Sequence, residues 1–213
     1  LRHTPANLHV VAATRAEPPL PLASLRARDQ LVEISTDSMR FGVEDTQAFF
    51  AKSISVALLP DETRALHDAT EGWVAGLQIA TLAMPGRAGM NGVISAFPRQ
   101  SRALSDYLAE NVLTRIPPDT VDFMLRTSLL DRLNGTLCER MTGTHDAAEK
   151  LDWLVKQNMF LQPLDEEGQW YRYHGLFADF LRAQLRARLP DACDTLNLRA
   201  AEWFAEQGFW AEA

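Results

Sequence analysis

Residues 160–189 restrict the possible folds more than any other stretch of the chain. Two short apolar segments, 160–164 and 170–173, flank Asp165-Glu166-Glu167-Gly168-Gln169, a polar run with one glycine, and together they predict a β-hairpin. Directly afterwards Leu176, Phe177, Phe180, Leu181, Leu185 and Leu189 recur at helical spacing, so a helix begins where the hairpin ends. One histidine, His174, sits at that junction. Its ring lies beside backbone N–H groups that open the helix and favour an anion. Two roles are open to it: binding a phosphate, or capping and packing the junction.

The surrounding pattern extends the picture. Helices are expected at about 136–141 and 146–157, and two helices, a hairpin wing and a further helix make a winged-helix topology. Upstream, helical signals cover 42–50, a segment opening at Pro60, a segment carrying Trp73, Leu77, Ala80 and Met84 that Thr70 can cap, 101–115 and 118–128. Pro85-Gly86-Arg87-Ala88-Gly89 reads as a linker. The apolar runs 8–14 and 31–34, with a short helix over 22–28 between them, read as strands that close an α/β sheet. A helix over 196–206 breaks at Gly208 and another begins at Trp210, the pattern of a helical repeat. The fold class is thus mainly α. Its expected order is the end of an α/β P-loop-type sheet (1–36), a helical subdomain (37–88), a helical linker with a winged helix (89–190), and the start of TPR-like helical repeats (191–213).

Bulk properties remove several function classes. The 213 residues carry a net charge of −7, and Arg182, Arg186 and Arg188 are bracketed by Asp179 and Asp191. Nucleic-acid binding needs clustered cations to displace phosphate counterions, so this chain is not expected to bind DNA directly. The acidic hairpin tip argues the same way for the winged helix, although a DNA-binding or purely protein-interacting module stands as the alternative reading. No apolar run reaches the length of a membrane span, and the amino terminus lacks both an apolar signal core and a Met, as expected of a cut piece of a cytoplasmic protein. Cys138 and Cys193 have neither CxxC nor zinc spacing. There is no G-x-x-x-x-G-K-[ST] loop, G-x-S-x-G elbow or HExxH pair, so no catalysis is expected from these residues alone.

Five stretches carry a family resemblance. They are Thr14-Arg15 followed by Glu17-Pro18-Pro19-Leu20-Pro21-Leu22; residues 71–80 (EGWVAGLQIA); 125–133 (LRTSLLDRL); Asn158-Met159-Phe160-Leu161; and 171–181, with His174, Leu176, Phe180 and Leu181 in a His-x-Leu-x-x-x-Phe-Leu pattern. In this order they resemble the MalT-like, LuxR-type ATP-dependent transcriptional regulators, members of the signal-transducing P-loop ATPases (STAND proteins). The resemblance spans nearly the whole chain. It implies a sensor arginine at Arg15, and it sets Gly76, Leu77 and Gln78 in the counterpart of the Gly-x-Pro stretch that packs near adenine in related NB-ARC ATPases. Gln78 stands where those proteins have the proline. It implies that His174 touches a nucleotide β-phosphate, as the histidine of the NB-ARC Met-His-Asp motif does, although Gly175 replaces the aspartate.

By the same resemblance the cofactor is ATP or ADP, with Mg in the full-length protein, and it is not expected to bind this stretch by itself. The implied partners are a P-loop domain and a helix-turn-helix domain of the same protein, further copies on activation, and a small-molecule inducer on the repeats. The implied function is a switch that couples nucleotide state and inducer to self-association and transcription, in a slow, regulatory ATPase.

Overall fold

Helices dominate the computed structural model, which describes residues 7–14, 17–53, 58–83 and 101–211. After a short α1 (Leu22–Arg26), three helices form a small unit: α2 (Val43–Ser53), α3 (Pro60–Thr70) and α4 (Val74–Ala83). Each start follows from local chemistry. The Asp45 carboxylate accepts the Gly42 N–H at 3.0 Å ahead of α2. Pro60 opens α3 without a donor to lose, while Glu62 accepts the Leu59 N–H at 2.7 Å. Helix α2 packs on α3 and α4, α3 packs on α4, and Phe50, Leu66 and Leu77 are fully buried between them. α5 (Arg102–Asn111), capped by Ser101 Oγ, lies against α4.

The second half begins at α6 (Pro118–Thr127). Leu133 then pairs with Tyr171 in a single antiparallel bridge. α7 (Gly135–Thr142) is capped by Asn134 Oδ1, which accepts the Leu137 N–H at 2.8 Å, and it ends at Gly143, whose φ of 76° allows a left-handed turn. α8 (Ala147–Lys156) follows, then β1 (Leu161–Pro163) antiparallel to β2 (Tyr171–Tyr173) with Leu161 opposite Tyr173. The Asp165 carboxylate closes the intervening turn on the N–H groups of Gln169 (2.7 Å) and Trp170 (2.9 Å). α9 (Gly175–Arg188) leaves the hairpin at once and packs against α6, α3 and α5, so it bridges the two halves. α10 (Ala192–Glu206) packs on α7. The order helix, bridge, helix, helix, hairpin, helix is a winged helix with Leu133 as its first strand position. The sequence pattern does not reveal that strand because it is one residue long.

Three expectations need correction. Residues 8–14 and 31–34 form no strand, and Val11 and Val32 stand 95% and 89% exposed. An apolar run becomes a strand only when another strand takes its backbone groups. Thr70 does not cap α4. It is the last residue of α3, its Oγ1 donating back to the Leu66 carbonyl at 2.8 Å. The helix expected over 101–115 stops at Asn111 and gives way to a 3₁₀ turn, Leu113–Arg115. Pro117 forces Ile116 into an extended conformation, and α-helix cannot continue into it. Residues 210 and 211 are turn residues, and the rest of the helix expected to begin at Trp210 lies outside the described residues. The linker expected at 85–89 lies outside the described residues.

Candidate functional site

The junction between the hairpin and α9 is where the two halves of the molecule exchange polar contacts. Tyr173 and His174 are the last extended residues before α9. Tyr173 is buried, its hydroxyl 2.9 Å from Thr127 Oγ1, and burial pushes its phenol pKa far up. His174 is 2% exposed. Its N–H donates to the Phe160 carbonyl (2.8 Å) and its own carbonyl accepts from Ala178, which fixes the start of the helix. The imidazole lies edge-on to Trp73 and Phe160, with ring centroids 6.2 and 6.0 Å away.

The ring's hydrogen bonds define its tautomer. Nε2 is 3.0 Å from the Thr70 carbonyl, which can only accept, so Nε2 carries the proton. Nδ1 is then a bare lone pair, and it has no hydrogen-bond partner among the described residues. Burial lowers the imidazole's pKa, the Glu71 carboxylate opposing this and the Arg40 guanidinium adding to it.

Glu71 is the centre of the polar network. It ends α3 in the left-handed conformation (φ 47°), from which its side chain crosses to the winged helix. Oε1 accepts the Gly175 N–H at 2.8 Å, at the amino end of α9 where backbone donors favour an anion. The Arg172 guanidinium, on β2, donates to both carboxylate oxygens at 3.1 and 3.5 Å. Arg40 donates to the Glu71 carbonyl at 2.9 Å and lies 3.9 Å from Oε2. Next to it Gly72 adopts φ 69°, and a Cβ there would lie 2.3 Å from the Phe41 carbonyl oxygen. Only glycine permits the Phe41 N–H to reach the Gly72 carbonyl (3.0 Å) and bring Arg40 into place. Arg40, Glu71 and Arg172 also line an open cleft of ≈ 530 Å³, together with His67, Asp68 and Gln162.

The residues expected at the site are placed unequally. His174 is central. Gly76 lies on α4, where a Cβ would come 2.8 Å from Trp73 and 3.1 Å from Leu176, so its smallness serves the packing of α4 on α9. Leu77 is fully buried in the core. Gln78 is exposed and its amide turns back to Thr81 Oγ1 at 3.4 Å. Arg15 lies outside the described residues. Arg40, Arg172 and the Glu71 carboxylate went unrecognised from sequence. Arg172 carried one signal, since alternation in Tyr171-Arg172-Tyr173 sends it to the face opposite the tyrosines. Arg40 carried none.

Several cations of the winged helix are paired with carboxylates. On α8, Lys150 pairs with Asp146 and with Asp119 at 3.2 Å, and Lys156 pairs with Asp152 at 2.6 Å. Burial would lower the Lys150 pKa, but the hydrogen bonds it donates to Asp146 and Asp119 overcome this and raise the value. Arg182 on α9 donates to the Ser128 carbonyl and reaches Asp131 and Asp179. Among the described residues no His, Cys, Asp and Glu side chains cluster as a metal site, and no helix is long and apolar enough to cross a membrane.

This arrangement defines a winged-helix domain docked through α9 on a helical unit. Residues 109–193 match the model of the MalT winged helix domain. The whole chain is 34% identical to the HTH-type transcriptional regulator MalT of Yersinia enterocolitica over 215 residues, covering 100% of this chain and 24% of that protein. It is equally similar, at 34% over 217 residues with the same coverage, to the HTH-type transcriptional regulators MalT of Cronobacter sakazakii and Klebsiella pneumoniae. The chain therefore spans about a quarter of the length of these relatives (24%). It is MalT-like over its whole length, and residues 109–193 correspond to the MalT winged helix domain.

Proposed function

We propose that these residues are part of the nucleotide-dependent switch module of a LuxR-type transcriptional activator. In this reading they couple ADP or ATP state, and an inducer bound by a repeat domain, to self-association and transcription in the cytoplasm. The observation that carries the reading is the buried, unpartnered Nδ1 of His174 at a helix amino terminus between two bodies. Unpaired buried polar atoms are rare, and one at the position where the resemblance sets a phosphate-sensing histidine favours that role.

An imidazole suits an anionic phosphate in type. His174, 2% exposed as described, would hold it once its ring is uncovered, and Arg40 and Arg172 on the neighbouring cleft wall would add positive potential only where Glu71 no longer pairs with them. ADP would supply a phosphate to be gripped between this winged helix and a P-loop domain elsewhere in the protein, with Mg and the Arg15 sensor on that side. The chain's own part is the proton. As described, Nε2–H is spent on Thr70, and a lone pair on Nδ1 repels a phosphate oxygen. Gripping the phosphate requires a second proton on the ring, which a dianion favours by raising the imidazole pKa. A ligand shifts the equilibrium between closed and open forms only by its differential affinity for them, and the protonated histidine provides such a difference.

The test is nucleotide retention in the full-length protein. His174→Ala should speed ADP release about tenfold, the worth of one charge-assisted hydrogen bond, and raise basal reporter transcription. Unchanged ADP release from a folded variant overturns the reading. DNA titration of the His174 and wild-type proteins lacking their helix-turn-helix domain decides the remaining alternative. The paired lysines of α8 predict no salt-dependent binding.

A further inference from the structure

The end of α3 touches the start of α9 through two consecutive residues on each side. The Thr70 carbonyl accepts from His174 Nε2, and the Glu71 carboxylate accepts from the Gly175 N–H. Two arginines from different elements then close on Glu71: Arg172 from β2 on the carboxylate, and Arg40 from the segment before α2 on the carbonyl. This turn is built in a conformation that a side-chain-bearing residue disfavours. Glu71 has φ 47°, where glycine would be at ease, and glycine does occupy the next position at φ 69°. A residue that only ended α3 would be better as glycine. What glutamate adds is a carboxylate that reaches the other body.

We propose that the Thr70–Glu71 turn is a polar latch that clamps the winged helix on the helical unit and positions His174 in one tautomer. Glu71 acts as a resident anion at the amino end of α9, pairing with Arg172 there while Arg40 is shared with Asp37 at 3.2 Å. Thr70 holds the Nε2 proton, so Nδ1 is an acceptor while the latch is closed. Opening the latch frees the ring's donor and the helix N–H together, and leaves Arg172 to Gln162 and Arg40 to Asp37. The cleft beside Glu71 gives solvent ions access to the pair, since the side chains of Arg172, Arg40 and Glu71 are 44%, 25% and 19% exposed.

Hydrogen exchange on the nucleotide-free full-length protein tests the latch independently of any nucleotide. Glu71→Gly relieves the left-handed backbone but removes the carboxylate, whereas Glu71→Gln keeps an acceptor and loses the charge. Glu71→Gly should accelerate exchange over residues 174–178 about tenfold, leaving α7 and α8 unchanged, and Glu71→Gln should fall between it and wild type. Raising NaCl from about 0.05 to about 1 M should accelerate these amides in wild type and not in Glu71→Gln. Adding Arg172→Gln to Glu71→Gly should cause little further change at these amides, because only its bond to Gln162 within the hairpin is left to lose. Wild-type protection in Glu71→Gly, or equal acceleration throughout α7 and α8, overturns the latch. A working latch alongside unchanged ADP release in His174→Ala would remove the nucleotide reading alone.

Discussion

On one side of the winged helix, Glu71, Arg40, Arg172 and His174 join α3 to α9 through charge and directed hydrogen bonds. On the other side, the joint to α10 is built on aromatic rings, with an exposed pairing of Arg140 to Glu206 at 3.1 Å beside them. Trp170 from the hairpin meets Trp203 and Phe209 at centroid distances of 6.3 and 6.1 Å, and Trp203 stacks on Phe209 at 6.4 Å. The Arg132 guanidinium lies 4.3 Å from the Trp170 ring centre and 4.8 Å from that of Phe209. The two joints differ in what can undo them. Ring burial is non-directional and gains nothing from being reopened in water. Ion pairs that reach a solvent-filled cleft exchange their partners for ions and water at small cost. The aromatic side is thus the anchor and the Glu71 side the joint that can release.

The sharpest way to break this comparison is to empty the anchor. Trp203→Ala should cost about 3–5 kcal/mol, the usual loss for a buried tryptophan, read as a drop in the urea midpoint. A cost below about 1 kcal/mol would mean that the rings do not carry that joint. Gly72→Ala should come next, near 3 kcal/mol, because its Cβ would sit 2.3 Å from the Phe41 oxygen in a backbone conformation with φ 69°. Its damage should concentrate on the latch side and leave α10 protected from exchange.

Acid provides a smaller and more selective test. Burial keeps His174's pKa below the ordinary value, so the unfolded chain binds its proton first as pH falls. Its contribution to stability is therefore complete above about pH 6.5 and declines as pH drops from there toward the folded-state pKa. Denaturation midpoints should fall over that window in wild type, and His174→Gln should flatten this part of the decline. An equally steep decline in His174→Gln would assign it to other groups.

The legibility of the chain follows the same division. The winged helix could be read because its signals are local: a turn with Gly168 and apolar spacing in α9. Helices expected at 136–141 and 118–128 appear at Gly135–Thr142 and Pro118–Thr127. The strands expected at 8–14 and 31–34 failed because a strand depends on partners that its own sequence does not specify. At the junction, His174 could be singled out by its position between two elements. Its Thr70 contact spans 104 residues of chain, as does the bond from Gly175 to Glu71. No periodicity encodes such a meeting. Arg40 was illegible for that reason, and Glu71 was visible only as the first letter of a motif.

The smallest effects separate the joints most directly. Arg172→Gln removes an ion pair whose arginine is 44% exposed, so its cost should be no more than about 1 kcal/mol at low salt. Arg132→Gln removes a guanidinium held over two rings and should cost a similar amount, about 0.5–1 kcal/mol. Salt distinguishes them. In about 1 M NaCl the Debye length shrinks to roughly 3 Å, so the Arg172 loss should largely vanish. The Arg132 loss should persist, because the guanidinium also buries its flat face against Trp170 and Phe209. Denaturation curves of the two variants at low and high salt provide the measurement. If both losses shrink together, the anchor is as ionic as the latch and the distinction between the joints fails.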